Sequence, residues 1–96
     1  MDYLTFTEEL ERRMQVIQKE YLDTRDERAL MLGPLLAITS LSKNNLLPFA
    51  RDRYKSIMNE TQWKIADDEL LAFREQVEIV LAGPSAFVAT RLKTGS

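Results

Sequence analysis

Asp67-Asp68-Glu69 is the densest acidic run in the chain. Oxygen ligands of that kind suit a hard cation, but a calcium loop spreads them over about twelve residues around a glycine. Neighbouring carboxylates on a helix diverge by about 100° each, so these three do not aim at one ion. The better reading is a solvated turn near a helix start, where negative charge suits the helix dipole.

Arg51, Arg53 and Lys55, with Arg12 and Arg13, come nearest to a basic patch. Arg51 and Lys55 share one helix face with Tyr54 close by, an arrangement that could meet a phosphate. Asp52 interrupts the cluster. The chain is also acidic overall, with 13 basic and 15 acidic residues and a net charge of −2. A salt-bridged surface is the stronger reading, and the balance argues against nucleic acid as the main partner. Ser85, after Gly83-Pro84, could be drawn as a nucleophile, but no general base accompanies it and a first-turn or capping role fits better. Trp63 could anchor a partner. It also opens an apolar stripe, so an ordinary core role is the stronger reading.

Absent residues exclude more. The chain has no histidine and no cysteine. Ser-His-Asp, Cys-His and histidine–metal devices cannot be assembled from it. Gly33, Gly83 and Gly95 are its only glycines, so neither a P-loop nor a dinucleotide fingerprint can be written. Carboxylate-only and lysine chemistry lie outside this exclusion. The expectation is no enzyme: no catalytic residue, no cofactor and no metal site.

The elements that would position these residues are helical. No segment alternates for long enough to compete as a strand, and no Asn-Gly or Asp-Gly hairpin turn occurs. Residues 1–7 read as a lead-in, with Thr5 and Glu8 as a capping box. Leu10, Met14, Ile17 and Tyr21 then recur at +4, +3 and +4, which draws a helix stripe. Asp23–Arg28 is polar throughout. The helix either continues through it to about Leu32, the favoured reading, or breaks and restarts with Thr24 and Glu27 as a second capping box. Gly33-Pro34 should end that helix, because glycine suits the position after a helix and proline the start of the next. Leu35–Lys43 reads as a short, almost wholly apolar helix stopped by Asn44-Asn45.

Pro48 can start another helix, with Phe49, Ile57 and Met58 on its buried side. Thr61 could cap the next one. Trp63, Ala66, Leu70, Phe73, Val77 and Val80 form the clearest stripe in the chain, and Pro48–Thr61 and Trp63–Ala82 are read as two helices. Gly83-Pro84 should turn the chain into a last helix at Ala86–Lys93, with residues 94–96 frayed. The fold expected is all-α: one domain of 1–96, a small bundle of about four to five helices. Two of them are long and amphipathic, and Gly-Pro elbows sit at 33–34 and 83–84. The surroundings of the two elbows also resemble each other. Chance accounts for that, although a repeat with pseudo-two-fold symmetry would do so too.

The apolar stretches beside the elbows carry the functional expectation. Leu35, Leu36, Ile38 and Leu41 cover most of a helix circumference, and Phe87 and Val88 repeat this more weakly. A helix apolar nearly all round is either central in a core or covered by another chain. In 96 residues there is little room for central helices. These six residues are therefore the expected interface of a protein-binding or assembly module, an adaptor, chaperone-like factor or subunit. The partner is another protein or a second copy, in a homo-oligomer. The alternative is a nucleic-acid-binding regulator using Arg51, Arg53 and Lys55. A third option, peripheral membrane binding through Ala29–Ser42, has no Lys or Arg within the segment to line the polar face of an interfacial helix. No uncharged run reaches the roughly 18–20 residues of a bilayer span, and the absence of cysteine fits an intracellular, cytoplasmic setting.

Overall fold

The computed structural model describes residues 2–60 and 67–94, with the side chains of 90–94 left aside. The fold is all-α, with five helices among the described residues: α1 (Tyr3–Asp23), α2 (Arg28–Lys43), α3 (Leu47–Met58), α4 (Asp68–Leu81) and α5 (Pro84–Thr94). Among these residues no helix is long and apolar enough to cross a membrane.

α1 begins earlier than the expected lead-in allows. Asp2, not Thr5, caps it: the Thr5 amide donates to Asp2 Oδ1 at 2.7 Å. Leu10, Met14 and Tyr21 are buried along the expected stripe, with Ile17 packed at its edge. The helix does not continue to Leu32. The Thr24 amide donates to the Glu20 carbonyl, and Arg25 then takes a left-handed φ of 56°. No Thr24–Glu27 capping box forms. Asp26 instead accepts the Arg28 amide at 3.0 Å and pairs with the Arg28 guanidinium at 2.5 Å. That guanidinium lies 4.3 Å above the Tyr21 ring and reaches Asp67, before α4, at 3.2 Å. One side chain therefore ties the α1–α2 turn to the start of α4.

Gly33-Pro34 is not an elbow. α2 stays helical through both residues. Met31, Leu32, Leu35, Ile38, Thr39 and Ser42 are buried on either side of the proline and form one continuous stripe. α2 packs against α1, α3 and α4. It is a central helix, which is why its apolar residues cover so much of its circumference. The resemblance between the two Gly-Pro sites consequently has no structural counterpart.

α3 opens with Pro48 in its first turn, as expected. Its buried residues are Ala50 and Ile57, with Tyr54 and Met58 packed against the core. Phe49 lies off that stripe and is 65% exposed, contrary to the expectation. α3 and α4 are separate helices. Trp63, Ala66 and the Thr61 cap lie outside the described residues. α4 starts at Asp68, capped by Asp67 Oδ1, which accepts the Leu70 amide at 3.0 Å. The acidic run is thus a cap and a first turn. Leu70, Phe73, Val77 and Val80 are buried as the stripe requires. Gly83 does turn the chain, at φ 96°, and Pro84 opens α5. Residues 95 and 96 are outside the described residues.

Candidate functional site

The six residues expected to form an interface divide sharply. Leu35 and Ile38 are wholly buried, because α2 is enclosed by three other helices. Leu36 and Leu41 are half-buried against the core. Phe87 is buried against Tyr3 and Phe6, at ring centroid distances of 5.9 and 5.3 Å. Only Val88 is open to solvent. Leu35, Ile38 and Phe87 are therefore core residues of the single chain and have no surface to offer a partner.

Large apolar side chains face water elsewhere. Leu46, Pro48 and Phe49 are exposed within four consecutive positions at the entry to α3. Phe49 is the only aromatic among the exposed large hydrophobic residues described. The signal that places it outside was present in the sequence. Ala50, Tyr54 and Ile57 recur at +4 and +3, and that stripe leaves Phe49 on the flank.

The inner edge of α3 forms a cleft of about 600 Å³ with α4, lined by Arg51, Tyr54, Lys55 and Met58 on one side and Arg74, Glu78 and Leu81 on the other. The close of α4 shapes it. The last carbonyls of a helix have no partner within the helix, and α4 has no basic residue in its last turn. Distant side chains fill the role. Arg51 Nε donates to the Leu81 carbonyl at 2.8 Å, with Nη2 3.5 Å from the Ala82 carbonyl, and the Tyr3 hydroxyl donates to the Val80 carbonyl at 2.8 Å. A cation at this end also opposes the helix dipole. Nothing local in the sequence announces these bonds, which span 30 and 77 positions.

Across the cleft the Tyr54 hydroxyl donates to Glu78 Oε1 at 2.5 Å, and Arg74 Nε donates to the Tyr54 oxygen at 3.2 Å and to Glu78 at 3.3 Å. Burial first, and the Glu78 carboxylate second, push the Tyr54 phenol above its ordinary value. The tyrosine stays protonated as the hinge of this triad. Lys55 lines the cleft and makes no ion pair among the described residues.

The basic cluster of the sequence is thus split by its helix. Arg51 and Lys55 line the cleft and Arg53 does not. Arg12 and Arg13 lie far from both in sequence and border a separate apolar hollow with Val16 and Phe73. No group of three or more Asp or Glu among the described residues is placed to hold a metal ion.

Comparison with protein-family models, with curated proteins and with solved structures finds no match, so function must be read from the chain's own residues.

Proposed function

We propose that this chain is a non-enzymatic helical module that binds another polypeptide, with α3 as the binding element. One observation supports this above others. The core closes without Phe49, yet that ring stands 65% exposed, beside exposed Leu46 and Pro48. An aromatic ring is a large apolar load to leave in water. Its burial against a partner would contribute roughly 25 cal/mol per Å², before the ordering costs of association. Exposed aromatics of this kind are the usual anchors of protein interfaces. The mechanism expected from the sequence, burial of apolar helix surface, is retained, while the residues that carry it move from α2 and α5 to α3.

An adaptor or assembly role, a partner that is a second copy, and a cytoplasmic setting belong to the same proposal. The nucleic-acid alternative loses support, because Arg53 lies off the cleft that Arg51 and Lys55 line and the chain is acidic overall.

The test compares wild type with Phe49→Glu. Sedimentation velocity over rising concentration reads self-association, and retention from extract of the native host reads other partners. Loss of association in the variant, with unchanged far-ultraviolet circular dichroism, is the expected outcome. Association untouched by the charge at position 49 would refute the role given to α3.

A further inference from the structure

We propose that the α3–α4 cleft receives an acidic segment of the partner polypeptide, a carboxylate set beside an apolar side chain. The inference rests on α3 being the binding element and adds the chemistry of what it binds. Three cations line the cleft against one carboxylate, in a chain whose net charge is −2. That carboxylate, Glu78, is already engaged by Tyr54 and Arg74. Arg51 and Lys55 have no carboxylate partner among the described residues.

Arg51 is also held in place. Its Nε bonds the Leu81 carbonyl and one terminal nitrogen leans on Ala82, so the side chain is fixed before any ligand arrives. The guanidinium has five N–H donors, and these two contacts leave donors unfilled. Arginine offers such donors in a planar fork that fits a carboxylate. Lys55 stands one turn further along α3 and supplies a second charge. Met58 and Leu81 also line the cleft, and methionine adapts readily to varied side chains. A free phosphate would meet the cations and leave those two side chains wet. A nucleic-acid backbone would need a longer row of cations, and Arg53 does not join this one.

Fluorescence anisotropy with a labelled peptide alternating Glu and Leu tests the assignment, with its Lys–Leu counterpart and inorganic phosphate as the other probes. The protein variants are Lys55→Glu, which removes no ion pair among the described residues, and Phe49→Glu. The acidic peptide should bind, bind more weakly as salt rises, and bind about tenfold more weakly to Lys55→Glu, the size of one lost charge contact of about 1.4 kcal/mol. Equal binding of the basic peptide, indifference to Lys55→Glu, or competition by phosphate as strong as by the peptide would each overturn the proposal. Absence of acidic-peptide binding, while Phe49→Glu still abolishes association with the native partner, would remove this inference and leave the reading of α3 standing.

Discussion

Leu32-Gly33-Pro34-Leu35 and Ala82-Gly83-Pro84-Ser85 present the same dipeptide, yet the chain stays helical through the first and turns at the second. Proline inside a helix costs about 3 kcal/mol through its missing N–H and its clash with the preceding turn. Against that stand Leu32, Leu35 and Ile38, all fully buried and each contributing roughly 1.5–3 kcal/mol by burial. Ending the helix at Gly33 would split their stripe between two directions. The carbonyl that loses its donor belongs to Leu30, whose side chain is 76% exposed, so water can replace the bond. At Gly83 no such stripe continues. The φ of 96° suits glycine, and Arg51 and Tyr3 collect the α4 carbonyls that the turn would strand. A local stop signal therefore acts only where tertiary burial does not outweigh it.

That contrast can be broken most severely at Leu35. Leu35→Ala should lower the unfolding free energy by about 3 kcal/mol in urea denaturation, as expected for a fully buried leucine. A loss below about 1 kcal/mol would mean that the stripe does not hold α2 together. Pro34→Ala should raise stability by about 1–2 kcal/mol, since it restores the N–H while loosening the unfolded chain. A net loss there would show that the proline itself is needed.

Glycine replacement sharpens the comparison through its sign. Gly83→Ala should cost about 1–2 kcal/mol, because the left-handed backbone strains an L side chain and the new Cβ would lie 3.4 Å from Arg51 Nη2. Gly33→Ala should instead gain about 0.5 kcal/mol. Its helical backbone favours alanine, and the 3.3 Å neighbour is the end of the flexible Gln18 side chain. Thermal melts of the pair would settle the signs, and equal effects would abolish the distinction.

The smallest effect separates the two regions by pH. Asp26, at the start of α2, is held below the usual carboxylate range by its hydrogen bond to the Arg28 side chain. Its folded value lies below its unfolded one. Its contribution is therefore present above the unfolded carboxylate value, about 3.9, and is lost as pH falls through the folded value. The α4 terminus is held by hydrogen bonds from Arg51 and Tyr3 to backbone carbonyls, with no carboxylate in either bond. Protection of the amides around residues 26–30, relative to their intrinsic exchange rates, should fall in mild acid before that around 80–83, and the reverse order would contradict these roles.

Much of this fold was legible because helix periodicity writes itself into sequence. Leu10, Met14 and Tyr21, and again Leu70, Phe73, Val77 and Val80, are buried where their spacing puts them. The place of α2 was not legible. An all-round apolar helix looks the same whether three helices of its own chain or a partner enclose it. That ambiguity turned Leu35 and Ile38 into interface candidates. The cleft was half visible, since Arg51, Tyr54 and Lys55 share a face, but its other wall lies on α4. The bonds from Arg51 and Tyr3 to the end of α4 are long-range contacts without a local pattern.

The claim that α3 faces a partner while α2 serves the core is tested most directly by photo-crosslinking. A photoreactive residue placed at position 49, in the native host, should give one discrete adduct. The same residue at exposed Glu9 should give none. Equal yields at the two positions, or none at position 49, would contradict the account.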